Sequence, residues 1–405
     1  MNIHYHTLPN GLRLVHIMTT NQVAWCGLAI NAGSRDEQEG HYGLAHFVEH
    51  TIFKGTEHRR AWHILNRMER VGGELNAYTT KEGTMVYSVF PHQHMARAID
   101  LLADLVQWSV FPQEELDRER DVVLEEAASY RDTPSDAVYD DFEDMLLAGS
   151  ELGHNILGKK EDVERLTRED CLSYLKALYV PSNMVFFSVG PQRPERVFNM
   201  ADKCFGGMSH TMAPRHRSTP PEVAPFKRAI QIGTHQAHTI VGARVPEAGH
   251  PLRYALMLLN NILGGPGMNS LLNVELRERR GYVYTVESTL SMLSDCGWIE
   301  IYLGCDLDDV RSSLRVIERI TSRLSQELLP ERRLEAYKKQ YCGQLVVAAD
   351  STEFLAMRAG RGLLYHGKVA PIDETIARIN DVTAQDIARA ASFLSADRLS
   401  SLTFS

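Results

Sequence analysis

The stretch from residue 206 to residue 225, "GGMSHTMAPRHRSTPPEVAP", does most to limit what this chain can fold into. It has no hydrophobic period, is rich in Pro, Ser and Thr, and contains a double proline. A helix or a paired strand does not run through such a segment. At 405 residues the chain is too long for one ordinary core. A break at this point leaves two halves of roughly 200 residues each, an ordinary domain size. The expected division is a domain over 1–210, a linker over 211–225 and a second domain over 226–405.

The two halves share one grammar, strands first and helices after, which hints at duplication. In the first half "GLRLVHIM" and "VAWCGLAINAG" read as strands, joined through "TTNQ" as a hairpin. "RRAWHILNRMERVGG" reads as a helix with a glycine stop, and "HMARAIDLLADLVQWSV" as an amphipathic helix. Between them "ELNAYTTKEGTMVYSVF" is rich in Thr, Tyr and Val and reads as a strand pair or a bent strand. A highly charged helix follows over 112–131, and "NMVFFSVG" reads as a strand. In the second half "AIQIG" and "HTIVGARV" read as strands, followed by the helix "PLRYALMLLNNIL", the turn "GGPG" and a further helix. Two more strands, "YVYTVEST" and "GWIEIYLGCD", are then followed by helices to the end. Each half is expected to be α+β, a mostly antiparallel sheet with helices on one face.

Composition removes several classes of function. Net charge is −9 and no dense basic run occurs, so a nucleic-acid partner is not expected. No apolar run is long enough to span a bilayer, and the start "MNIHYHTLPNGLRLVH" lacks the pattern of a signal peptide. The six cysteines are scattered, which suits a reducing compartment, and a cytoplasmic protein is expected. The glycine-rich turn lacks the spacing of a phosphate or dinucleotide cradle.

The chemistry is concentrated in "HYGLAHFVEH", residues 41 to 50. On a helix His46 and His50 lie one turn apart and point the same way. Two imidazoles so placed can grip one zinc ion. Glu49 sits beside one ligand and can reach the attacking water as a general base. The order His-x-x-Glu-His is the inverted form of the common zinc-protease signature. His41 has no assigned role. A zinc hydrolase also needs a third protein ligand, and the charged helix offers Glu114, Glu115, Glu119, Glu125 and Glu126. Glu119 and Glu126 share a face, but spacing does not choose among the five.

Beyond these residues the chain resembles the pitrilysin, insulinase and mitochondrial-processing-peptidase family, in its short two-domain form. "HFVEHTIFKGT" is similar to the family's signature. The likeness continues in "GGELNAYTTKEGT", "ERDVVLEEAASYRDTP", "YVPSNMVFFSVG" and "LGGPGMNSLLNVELRERRGYVY", in family order through most of the chain. It implies one zinc per chain, held by His46, His50 and Glu126, with Glu49 as general base and Glu119 supporting the site from behind. It also implies that the segment "LNAYT" pairs with substrate backbone, from which Asn76 and Ala77 are carried over. In the second half it implies that Arg277 and Tyr284 hold substrate and steady the reacting carbonyl. Leu271 and Asn273 stand where the family often has an arginine and an aromatic residue, and Thr51 stands where methionine is common.

The function implied is a zinc endopeptidase acting on peptides or unfolded segments. Family architecture closes a chamber from four such domains, so a dimer is implied. A homodimer suits a chain that keeps both the zinc set and the Arg277–Tyr284 pair, and a heterodimer with a homologous subunit is the alternative. Two other readings are a non-catalytic or partner-dependent subunit and a maturation protease devoted to one precursor. A third, from a different class, is a zinc-dependent hydrolase of small molecules.

Overall fold

The computed structural model describes residues 2–209, 215 and 217–405. Residues 211–214 and 216 of the expected linker lie outside the described residues, as do Met1 and His210. The strands are β1 (Asn2–Thr7), β2 (Arg13–Met18), β3 (Val23–Ile30), β4 (Glu74–Thr79), β5 (Thr84–Pro91), β6 (Met184–Gly190), β7 (Lys227–Ile230), β8 (Ala237–Val245), β9 (Thr285–Met292), β10 (Gly297–Cys305) and β11 (Ser400–Phe404). The helices of the first half are α1 (Leu44–Thr51), α2 (Ala61–Glu69), α3 (Met95–Trp108), α4 (Gln113–Arg131), α5 (Pro134–Leu146), α6 (Lys160–Val163), α7 (Arg168–Leu178) and α8 (Pro194–Phe205). Those of the second half are α9 (Arg253–Gly264), α10 (Leu307–Gln326), α11 (Glu331–Ala348), α12 (Thr352–His366), α13 (Ile372–Asn380) and α14 (Ala384–Ala391).

The chain forms two compact units, and neither is contiguous. The first comprises 1–127, 154–218 and 348–371, and the second comprises 128–153, 219–347 and 372–405. Each is built on one sheet. The first sheet has strand order β1-β2-β6-β3-β5-β4, and the second β7-β11-β8-β10-β9. Both are mostly antiparallel. One pair in each is parallel, β2 with β6 and β7 with β11.

Two expectations are corrected here. Strands β2 and β3 do not form a hairpin, because β6 lies between them, parallel to β2 and antiparallel to β3. β6 is buried along its whole length, and a fully apolar strand is most stable in the middle of a sheet. The chain also does not end in helices. Its last element, β11, lies between β7 and β8.

The alternation of each strand explains the packing. In the first unit Leu14, Cys26, Leu28, Val86 and Phe186 face a core formed with α1, α3, α7 and α8. Val15, Ile17, Ala29, Met85, Val185 and Phe187 face the other way, against Leu355, Ala356, Ala359 and Leu363 of α12. Gly360 allows that helix to lie close, since a Cβ there would stand 2.8 Å from Phe187 Cδ1 and 2.9 Å from Met85 Cε. The second unit repeats the plan. The main core includes residues of α9, α10 and α14, and the opposite face of the sheet packs on Ala137, Val138, Phe142 and Leu146 of α5. Each sheet thus has its helix layer on one face and a single helix from the other half of the sequence on the other.

Candidate metal centre

The helix that carries the inverted motif starts without a local cap. Gly43 precedes α1 with φ 95°, where a side chain is disfavoured, and an added Cβ would stand 2.8 Å from Leu157 O. The free amides at the start of α1 are met from upstream. Glu37 Oε2 accepts from Gly43 N at 2.9 Å, and Glu37 Oε1 accepts from Ala45 N at 2.7 Å. The same carboxylate lies 3.0 Å from His154 Nε2. Burial pushes the Glu37 carboxyl up, against the pull of His154 and of the Ala45 and Gly43 amides. A carboxylate at a helix N-terminus also meets the positive end of the helix dipole.

One turn of α1 places His46 and His50 side by side, with ring centroids 4.5 Å apart. Glu126 reaches both from α4. Its Oε2 lies 3.3 Å from His50 Nε2 and 3.7 Å from His46 Nε2. The three offer ligand atoms that all lie within 4.8 Å of one another. The edge of a tetrahedron with Zn–N and Zn–O bonds of about 2.05 Å is about 3.3 Å, so small side-chain movements bring these donors onto one ion. Protonation adds no obstacle at His46, where burial, with help from His50, pulls the pKa down to about 3. A neutral imidazole keeps the lone pair that a metal needs. The donors are two imidazoles and a carboxylate, a set suited to zinc. They fit one divalent ion.

The surroundings favour a dication as well. Glu119 Oε2 lies 3.3 Å from His50 Nδ1, and Lys54 Nζ lies 2.5 Å from Glu119 Oε1. Glu49 accepts a hydrogen bond of 2.7 Å from Thr79 Oγ1 on β4. Burial pushes the Glu49 carboxyl up, the Thr79 bond and His50 pull it back, and Glu126 adds to the rise. Three carboxylates therefore surround the imidazoles, with Lys54 as the neighbouring ammonium.

The first unit thus brings together His46, Glu49, His50, Glu119 and Glu126. Asn76 and Ala77 lie on β4, the outermost strand of the sheet, shortly before Thr79. Arg277 and Tyr284 belong to the second unit. Arg277 sits on a π-helical turn, Asn273–Glu278, and lines a cleft of about 500 Å³ with Asn260, Gly265, Met268 and Glu287. Arg279 and Arg280 both pair with Glu275, whereas Arg277 does not share that contact. Tyr284 is 57% exposed, outside the lining of that cleft, and donates to Asp306 Oδ1 at 3.1 Å. Leu271 is buried in the second core, and Asn273 donates to Met268 O.

Sequence reasoning missed Glu37, His154, Lys54 and the role of Thr79. Glu37 is too far upstream of α1 to read as a capping residue, and His154 meets it only through the fold.

Comparison with known proteins agrees with this geometry. Residues 13–160 match the family model described as Insulinase (Peptidase family M16), and residues 165–341 match Peptidase M16 inactive domain. An uncharacterized zinc protease of Bacillus subtilis, YmxG, is 33% identical, over 94% of this chain and 93% of its own length. One from Mycobacterium tuberculosis is 32% identical, over 94% of this chain and 88% of its own. A crystal structure of a protease from Helicobacter pylori superposes with a TM-score of 0.92 at 21% identity, covering 100% of this chain and 99% of that one. The chain belongs to the M16 (insulinase) family of zinc peptidases. It is a zinc-dependent metallopeptidase, and His46, His50 and Glu126 can coordinate its metal. No helix among the described residues is long and apolar enough to cross a membrane.

Proposed function

We propose that the chain is a self-sufficient endopeptidase for peptides or unfolded segments, in which Glu49 moves the proton. The observation that carries this reading is the convergence of His46, His50 and Glu126 on one point, with Glu49 on the same short helix. When bound, zinc supplies a Lewis acid that acidifies water and polarises a carbonyl. Glu49 takes the proton of the attacking water and later delivers it to the leaving amine. Its Thr79 bond holds the carboxylate in place. Glu119 holds His50 through Nδ1, and Lys54 fixes Glu119 in turn.

An extended peptide adds to the free edge of β4 at Asn76 and Ala77, where backbone groups set its register. Arg277 and Tyr284 supply donors that hold substrate and meet the developing oxyanion. Arg277, which lines an open cleft, supports that role. We read 1–210 as the domain bearing zinc and 226–405 as its homologous partner, joined by 211–225. Because one chain carries both the metal set and the Arg277–Tyr284 pair, the assembly we favour is a homodimer. The described cysteines are all free, which fits a reducing, cytoplasmic setting.

The test is a quenched peptide library incubated with the purified chain, stripped by a chelator and then given zinc. Cleavage should vanish on stripping and return with one equivalent of metal. Tight zinc with no turnover, with or without a co-expressed homologue, would assign the chain a non-catalytic role. Cleavage of a single precursor alone would mark a dedicated maturation protease.

A further inference from the structure

The free edge of β4 has two faces of different chemistry. Leu75 and Ala77 pack on the core that contains α1, and Thr79 bonds Glu49. Asn76 and Tyr78 point to the opposite face, as their partners Tyr87 and Met85 on β5 show by lying against the α12 core. There Arg361 of α12 donates from Nη2 to Tyr78 Oη at 2.9 Å, and its guanidinium carbon lies 5.5 Å from the Tyr78 ring centroid. Tyr78 Oη also lies 3.8 Å from Met357 Sδ. Arg361 is exposed, and among the described residues its contacts are with the Tyr78 hydroxyl and ring rather than with a carboxylate. It is a cation held in place at the edge of a sheet with most of its donors free.

We infer that Arg361 is a specificity-determining residue that favours an acidic side chain at the substrate position alongside Tyr78. The inference rests on the reading that substrate adds to β4 as a strand. Successive side chains of a strand point to opposite faces, so every second residue of such a peptide projects toward the α12 face. The one next to Tyr78 meets a guanidinium that the phenol has already oriented. A planar fork of donors suits a carboxylate, and prior orientation reduces the freedom lost on pairing. Glu74 shares this face of β4 but lies roughly 13 Å further along the strand. Glu353 lies two turns from Arg361 on α12, roughly 12 Å along its axis. Both carboxylates act on the neighbouring Tyr87, but Arg361 is the charge held against Tyr78 itself, and so the one that a side chain placed there meets first.

The experiment uses the zinc-loaded full chain and a neutral quenched peptide in which one Asp or one Lys is moved through successive positions. We expect the Asp to Lys ratio of kcat/KM to reach roughly 3- to 10-fold at one position, through KM, in line with an exposed but oriented pair. The adjacent positions should be indifferent, and salt at 0.5 M should flatten the profile. In Arg361→Gln the ratio at that position should fall to about one, and in Arg361→Glu it should invert. An unchanged ratio in both variants would overturn the inference while leaving the peptidase reading intact. A neutral parent peptide that the wild type does not cleave would instead sink the peptidase reading, and this inference with it.

Discussion

Replacing Glu37 by Gln tests how the catalytic helix is held. The side chain of Glu37 is fully buried, and its carboxylate accepts from Gly43 N, Ala45 N and His154 Nε2. Gln has nearly the same shape but one acceptor oxygen in place of two. If that oxygen keeps Ala45, the new amide group faces Gly43 N, a donor it cannot satisfy, whereas His154 Nε2 can accept from the amide by shifting its own proton to Nδ1. Each buried donor left unpaired costs about 1–3 kcal/mol, and the smaller cost of burying a neutral group offsets part of it. A net loss of about 1.5 kcal/mol is expected, roughly tenfold in the local opening equilibrium of α1. His46 lies in the first turn of α1, so its hold on metal should weaken as well. The assay is hydrogen exchange of the peptide covering 43–52, paired with zinc competition against a chelating dye. Faster exchange over this peptide, with slow exchange kept in β8 and β10, is the predicted outcome. Exchange within about threefold of wild type would refute the reasoning, since the lost Gly43 bond should by itself exceed that.

Two other expectations follow from packing and burial. Gly360→Ala drives a methyl against Phe187 and Met85 and should cost about 1–3 kcal/mol, read as a lower melting temperature; an unchanged melting temperature would mean that α12 lies looser than described. His16 is buried in β2, with Nδ1 2.8 Å from Ser188 Oγ and Nε2 2.9 Å from Gln192 O, and burial lowers its pKa despite the opposing bond to Gln192. The unfolded chain therefore binds a proton below about pH 6.5 that the folded chain resists, so this contribution to stability is lost as pH falls through that value. Urea midpoints from pH 7.5 to 5 should drop less steeply in His16→Asn than in wild type, and parallel curves would assign the loss to other groups.

What could be read in the sequence follows the range of each interaction. The His46–Glu49–His50 arrangement is local to one helix turn, so spacing alone revealed it. The third ligand could not be reached in that way. Glu119 and Glu126 share a face of α4, and only the approach of α4 to α1 gives Glu126 to both imidazoles and Glu119 to the far side of His50. The strands β2 and β3 were legible as strands, but their pairing was not. The strand that separates them, β6, arrives more than a hundred residues later, and strand alternation carries no label for its neighbour. β11 escaped because "SSLTF" is short and mostly polar, and its place inside the sheet comes from pairing on both sides. The crossing of α5 and α12 to the other half's sheet was equally hidden, since their apolar faces do not name the sheet they cover. Glu37 illustrates the same limit at one residue: its partners are set by a loop closing on a helix start.

The central claim is that Glu49 carries the proton at a metal held by other residues. Glu49→Gln separates these roles, because Glu49 is not one of the three side chains whose ligand atoms converge. Metal content and peptide hydrolysis measured on the same sample test it most directly. The variant should keep about one zinc per chain while kcat falls by roughly 10²- to 10⁴-fold, the usual contribution of a general acid–base group. Near-normal turnover with zinc bound would contradict the account.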